Sequence, residues 1–206
     1  MFAERNRRRK MNRKHTLLVC ARWVAPLFLF SVIVWGLIYV FAFDNRSSEK
    51  ITVFMYAEST ENQQLKKKIT AETNVDTYLT VCKNEKDVFP KPIHASFFSA
   101  DLVIIPEKCL INIDCANLFV PITPELLKTY RIEGDFKLSK KNGENYGIVV
   151  YSHDDGINLL KRFMVFNGDP FIVCVSKLTP NSGEYSTDGG KIKTENAFKA
   201  LRALLN

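Results

Sequence analysis

The chain has 206 residues, 46% of them hydrophobic and 25% charged, a composition that excludes a disordered or fibrous protein and allows one or two domains. Its formal charge of +7 lies entirely in residues 1–43, which carry eight basic side chains and one acidic one, because the other 163 residues carry 21 of each sign. A nucleic-acid-binding domain needs a basic face, so we expect no nucleic-acid partner for the neutral remainder.

The first element is a long apolar segment. From Trp23 to Phe43, 21 consecutive residues carry no charge. At about 1.5 Å per residue, a helix of this length spans roughly 30 Å, the thickness of the hydrocarbon core of a membrane. A cleaved signal peptide has a shorter apolar region and a small-x-small cleavage site. We therefore predict an uncleaved transmembrane signal-anchor helix at residues 23–43.

The charges on either side of this segment predict its orientation. Residues 1–22 hold the basic cluster, whereas the linker at residues 44–50 is balanced in charge. The positive-inside rule then places residues 1–22 in the cytoplasm as a basic tail. We therefore predict that residues 51–206 form an extracytoplasmic domain, which a single membrane span holds at the cell membrane.

The outer domain begins with alternating strands and helices. Residues 51–56 (ITVFMY) predict a buried or half-buried strand. Thr60 and Gln63 have the spacing of a capping box for a helix that ends near residue 73. Residues 75–81 alternate apolar and polar side chains, as is typical of an edge strand.

A second helix within residues 91–99 precedes a continuous apolar strand at residues 101–105. Such a run is typical of a parallel sheet covered on both faces. The order strand, helix, strand, helix, strand predicts an α/β domain with a βαβαβ core. A strand order of 2-1-3 would place residues 51–56 in the middle of that core.

Further strands and helices fill the second half. Thr123 and Pro124 predict a helix start, and Asn142-Gly143 predicts a tight turn before a strand at residues 146–151. The segments 161–166 and 171–176 are predicted to form a hairpin around residues 167–170. The closing helix has Thr194 as its predicted cap and one apolar face, formed by Ala197, Phe198, Leu201, Leu204 and Leu205.

Catalytic and metal-binding motifs give no positive signal. The chain contains no GxSxG, HExxH, GxGxxG or GxxxxGK[ST] sequence, and we predict neither an enzyme nor a cofactor. The sequence His153-Asp154-Asp155-Gly156 has the composition of a polar turn, which we favour over a metal site or catalytic group.

Four cysteines lie in the outer domain. Cys109 and Cys115 are six residues apart in a predicted loop, and an oxidising compartment would allow a disulfide between them. Cys82 and Cys174 lie on or beside predicted strands, where buried thiols are common. No CxxC or HxxxH pair accompanies the cysteines, so we predict no zinc site.

One place in the predicted fold is suited to a ligand. In open α/β sheets, ligands bind beyond the carboxyl ends of the strands where the strand order reverses. The first and third strands end at this point, and a following helix start offers free amides for an anion. The candidate ligand-binding residues are Glu58, Ser59, Thr60, Glu107 and Lys108. The alternative is ordinary helix capping with solvated loop charges.

Five stretches carry a resemblance to a known family: ITVFMYAEST, ADLVIIPEKCL, YGIVVY, FIVCVSK and ENAFKALRALLN. In their order they resemble the bacterial extracytoplasmic solute-binding proteins of transport systems. The resemblance implies a periplasmic-binding-protein-like fold. Family members have two lobes that clamp the ligand, whereas residues 50–206 suffice for one lobe and a small appendage. The resemblance thus implies that this protein is a shortened, single-lobe relative with a membrane anchor.

Two function classes follow. The first is a membrane-anchored extracytoplasmic binding module for a small solute or peptide, or for a membrane protein partner. The second is a non-catalytic extracytoplasmic subunit of a membrane protein complex without a small ligand. A deep polar pocket near Glu58 and Glu107 would favour the first class, and a flat apolar patch there would favour the second.

The predicted topology can be tested with reporter fusions after Asn206. A reporter that is active only outside the cytoplasm is expected to be active there, because the basic tail holds residues 1–22 inside. A reporter that needs the cytoplasm is expected to be silent at the same position. The opposite pair of results would overturn the orientation.

Overall fold

The structure is a computed structural model that describes residues 26, 28–36, 50–57, 59–60, 62–82, 91–166, 168–189 and 192–206. The chain divides into two compact units, residues 1–46 and residues 47–206. Within the predicted membrane segment, residues 28–36 are helical, and most of the remainder lies outside the described residues. No helix among the described residues has the length and apolar character needed to cross a membrane.

The second unit is built on one mixed sheet. Three parallel strands, β1 (Lys50–Tyr56), β3 (Asp76–Cys82) and β4 (Leu102–Pro106), stand in the order β3-β1-β4. This is the 2-1-3 order predicted from the sequence, with residues 51–56 in the middle of the three. The sheet continues from β4 through three antiparallel strands, β9 (Phe171–Val175), β6 (Glu144–Ser152) and β5 (Leu138–Lys141). The short strand β7 (Ile157–Asn158) pairs with the end of β6.

Helices cover both faces of the sheet, as predicted for an α/β domain. The helices α1 (Asn62–Thr73) and α5 (Asn196–Leu205) pack together and share one apolar core with β1 and β4. The helix α2 (Lys91–Phe98) contributes Phe97 to a second core on the other face. The short helices α3 (Cys115–Leu118) and α4 (Pro124–Thr129) follow β4.

Side-chain chemistry explains where several elements begin and turn. Thr123 caps α4 as predicted, because its Oγ1 accepts a hydrogen bond from the amide of Leu126 at 3.2 Å. Asn142 and Gly143 both have positive φ angles, 54° and 89°, and they form the predicted tight turn, here between β5 and β6. Asn and Gly adopt such angles at the lowest cost.

Two predicted local structures differ from the structure. Thr60 does not cap a helix but lies in β2 (Ser59–Thr60), which pairs antiparallel with β8 (Met164–Val165). The predicted hairpin around residues 167–170 is also wrong, because β9 pairs with β4 and β6 rather than with β8. The fully buried side chains of β9 favour a central place in the sheet over a local hairpin.

A buried polar network closes the other end of the parallel strands. The carboxylate of Asp101, which is 2% exposed, accepts hydrogen bonds from the amide of Thr52 at 2.7 Å and from Nδ2 of Asn181 at 2.9 Å. Thr194, the predicted cap of α5, instead donates its hydroxyl to Oδ1 of Asn181 at 2.6 Å. The network thereby ties the 3-10 segment Pro180–Tyr185 to the sheet.

Burial raises the pKa of the Asp101 carboxyl, and the hydrogen bonds from Thr52 and Asn181 oppose this shift in part. The folded pKa therefore lies above the unfolded value of about 3.9. Protonation of this carboxyl therefore stabilises the fold in acid, and this pH-dependent contribution is lost as the pH rises through the folded pKa, whereas the hydrogen bonds from Thr52 and Asn181 do not depend on it.

Replacing Asp101 with alanine tests the network. Asp101→Ala is expected to lower the free energy of unfolding by about 2–3 kcal/mol at neutral pH, because two donors lose a charged acceptor inside the protein. Denaturant titration of the full chain gives this value. Asp135→Ala, at an exposed position, serves as the control and is expected to change the stability little. Equal stability of the two variants would contradict the assigned role of Asp101.

Candidate ligand-binding cleft

The carboxyl ends of the first and third parallel strands lie side by side. In the pairing of β1 with β4, Met55 stands opposite Ile104, so both strands end at the same edge of the sheet. Glu107 follows β4 directly, at the start of a 3-10 helix formed by Glu107–Asn112. The predicted proximity of these strand ends is therefore present in the structure.

Aromatic side chains fill this edge on the face that carries α1 and α5. Phe171 lies opposite Pro106 and its ring is 5.8 Å from that of Tyr56 and 4.7 Å from that of Phe166. Tyr151 completes the cluster, 5.2 Å from Phe166. The edge beside β1 is thus occupied by protein side chains.

A cleft opens on the other side of Glu107. Its volume is 480 Å³, within the range of small-molecule sites. It lies between the 3-10 helix, strand β5 and the turn before β9. The lining residues are Glu107, Lys108, Leu110, Ile111, Ser139, Lys140, Lys141, Asp169 and Pro170.

Two of the lysines in this cleft already have partners. Lys108 forms an ion pair with Asp169 at 2.7 Å, with both side chains about half exposed. Lys141 donates its ammonium to three backbone carbonyls, those of Leu110, Ile111 and Ile113. Because carbonyl groups gather at the end of a helix, this lysine ties the last turn of the 3-10 helix to β5.

The remaining polar groups of the cleft lack such partners within the described part of the chain. Neither the Glu107 carboxylate nor the Lys140 ammonium forms an ion pair with another described residue. The hydroxyl of Ser139, whose residue is 2% exposed, has no hydrogen-bond partner among the described atoms. Buried polar groups without a partner are uncommon in proteins.

The structure divides the predicted site residues into two groups. Glu107 and Lys108 line the cleft, whereas Thr60 lies in the β2–β8 pair and does not. Glu58 lies outside the described residues, and only the backbone of Ser59 is described. Sequence reasoning missed Ser139 and Lys140, because nothing along the chain places the polar strand β5 opposite the segment after β4.

The predicted disulfide is not formed in the structure, where Cys115 is a buried thiol. Its Sγ lies 3.5 Å from the carbonyl oxygen of Ile113 and 3.9 Å from that of Leu110. Burial raises the pKa of this thiol, which lowers its reactivity. Pairing with Cys109 in an oxidising compartment stays a prediction.

His153-Asp154-Asp155-Gly156 form a turn after β6, as predicted. In it, Oδ2 of Asp155 accepts a hydrogen bond from the ammonium of Lys137 at 2.7 Å. The described residues contain no group of three or more His, Cys, Asp or Glu side chains placed to hold a metal ion.

No protein-family model matches the chain, and no curated protein is significantly similar to it in sequence.

Removing the ammonium of Lys141 tests how the cleft wall is held. Lys141→Met is expected to lower the free energy of unfolding by about 1–3 kcal/mol, because hydrogen bonds from a charged donor to three carbonyls are lost. Hydrogen exchange is expected to become faster in residues 108–115. Lys140→Met is the matched control, since its ammonium contacts none of these carbonyls. Unchanged exchange in Lys141→Met would show that the wall holds without this contact.

Proposed function

We propose that the protein is a membrane-anchored extracytoplasmic binding module that holds a small ligand in the cleft beside Glu107 and Lys108. The observation that carries this proposal is the position of the cleft. It opens at the carboxyl end of β4, on the side where the antiparallel strand β9 joins the sheet, and two residues predicted for ligand binding line it. Ligands of open α/β sheets bind beyond the carboxyl ends of the strands.

The chemistry of the cleft supports a small amphipathic ligand. Leu110, Ile111 and Pro170 offer apolar surface, while charged side chains stand around them. Small-molecule sites commonly combine an apolar lining with a few polar groups that orient the ligand.

The resemblance to solute-binding proteins supports the same proposal. The βαβαβ core in the order 2-1-3 and the closing helix are compatible with one lobe of that fold. Members of the family clamp their ligand between two lobes. With one lobe, a ligand keeps part of its surface in water, so we expect weaker binding than a closed clamp gives.

The membrane anchor, the extracytoplasmic location and the absence of catalysis belong to this proposal. They depend on the charge asymmetry around residues 23–43 and on the lack of a recognisable catalytic motif. A module of this kind would deliver its ligand to, or sense it for, a membrane protein partner.

A thermal-shift screen of the full-length chain in detergent tests the proposal. Sugars, amino acids and short peptides are added separately, and a ligand that binds only the folded state raises the melting temperature. We expect at least one of these classes to raise it. No shift with any class would leave the non-catalytic subunit as the better description.

Two variants locate the binding. Ile111→Asp puts a charge at the cleft, at a side chain that is 75% exposed, and is expected to abolish the ligand-induced shift. Ile192→Asp is the matched control, because Ile192 is 69% exposed and does not line the cleft. A shift that persists in Ile111→Asp would place the ligand elsewhere.

A further inference from the structure

The cleft presents one carboxylate and one ammonium that the described protein leaves without an ion pair. Lys108 is neutralised by Asp169, and the ammonium of Lys141 is held by backbone carbonyls. Glu107 and Lys140 remain, on opposite walls of the cleft: one on the 3-10 helix and one on β5. Lys137 attracts Glu107 without forming an ion pair with it. A ligand that forms an ion pair with both Glu107 and Lys140 carries both a positive and a negative charge.

The hydroxyl of Ser139 adds a second polar group on the wall of Lys140. This residue is almost fully buried, and its Oγ has no partner among the described atoms. A hydroxyl donates readily to a carboxylate, and such a charge-assisted hydrogen bond is stronger than a neutral one. Ser139 and Lys140 together therefore suit the carboxylate end of a ligand, and Glu107 suits its ammonium end.

The apolar part of the cleft completes this pattern. Ile111 leaves three quarters of its surface in water, next to the buried Leu110 and the half-buried Pro170. Covering exposed aliphatic surface removes it from water and so favours binding through the hydrophobic effect. A ligand with an aliphatic side chain between its two charged ends would cover this surface.

We propose that the cleft binds a short peptide with free termini and aliphatic side chains, with its ammonium on Glu107 and its carboxylate on Lys140 and Ser139. This inference rests on the proposed function of the cleft as a small-ligand site. Uncharged sugars would leave both charged groups unpaired. A simple anion would leave Glu107 without a partner, and the Glu107 carboxylate would repel that anion at close range.

Titration calorimetry of the full-length chain in detergent with the dipeptide leucyl-leucine tests the ligand class. N-acetyl-leucyl-leucine lacks the ammonium, and leucyl-leucine amide lacks the carboxylate. Each blocked peptide is expected to bind at least about tenfold more weakly than the free dipeptide, because a charge-assisted hydrogen bond is lost. Equal affinity of all three peptides would overturn the assignment of the charged ends.

Three substitutions assign the ends to residues. Glu107→Gln is expected to weaken the free dipeptide about tenfold or more, with no further effect on the N-acetyl form. Lys140→Met is expected to weaken the free dipeptide similarly, with no further effect on the amide. The matched controls are Glu133→Gln and Lys199→Met, at exposed positions outside the cleft, and they are expected to bind like the unchanged protein.

Ser139→Ala separates a binding role from a structural one. Removing a buried hydroxyl without a partner is expected to keep or raise the melting temperature of the free protein, while the dipeptide binds severalfold more weakly. A lower melting temperature with unchanged affinity would assign Ser139 to the fold and remove it from the site.

Failure of this inference is distinguishable from failure of the proposed function. If a sugar or another uncharged compound binds and the binding is lost in Ile111→Asp, the cleft is a ligand site but the peptide assignment is wrong. If no compound of any class binds, both are wrong. Binding of the dipeptide that Glu107→Gln and Lys140→Met leave unchanged would also overturn the peptide assignment.

Discussion

The burial of strand β4 is the constraint on which the rest of the domain depends. All five of its residues are buried, and both of its edges are hydrogen-bonded, to β1 on one side and to β9 on the other. The chain therefore has to leave β4 at the edge of the sheet. Pro106 is the last residue of the strand, and the chain then turns into the 3-10 helix that forms one wall of the cleft.

The carboxylates at the two ends of β4 lie in different environments. At the beginning, Asp101 uses its carboxylate within the fold, where it accepts hydrogen bonds from Thr52 and Asn181. At the end, Glu107 forms no ion pair with any other described residue. A buried carboxylate needs hydrogen-bond donors from the protein. A half-exposed carboxylate is solvated by water, and a ligand can replace that water. This difference in environment is why we propose a structural role for Asp101 and a binding role for Glu107.

The sequence alone predicted the parallel core, because its signals are local. Runs of β-branched and aliphatic residues predicted β1 and β4, and an apolar face at helical spacing predicted α5. It also placed Glu107 and Lys108 at a candidate site, since both directly follow a strand whose end meets the edge of the sheet. The β2–β8 pair was missed, because each of its strands has only two residues and so gives no periodic signal.

What the sequence determined by itself is the division of charge between the tail and the domain and the alternation of strands and helices in residues 51–105. These follow from composition and from the spacing of apolar residues along the chain. The 2-1-3 order of the three strands was a prediction that the structure confirms. Only the tertiary structure decided that Lys141 binds the carbonyls near residue 110, and that Ser139 and Lys140 stand opposite Glu107. The physical reason is distance in sequence. About thirty residues separate the two walls of the cleft, so their meeting depends on the antiparallel addition of β9, β6 and β5 to the sheet.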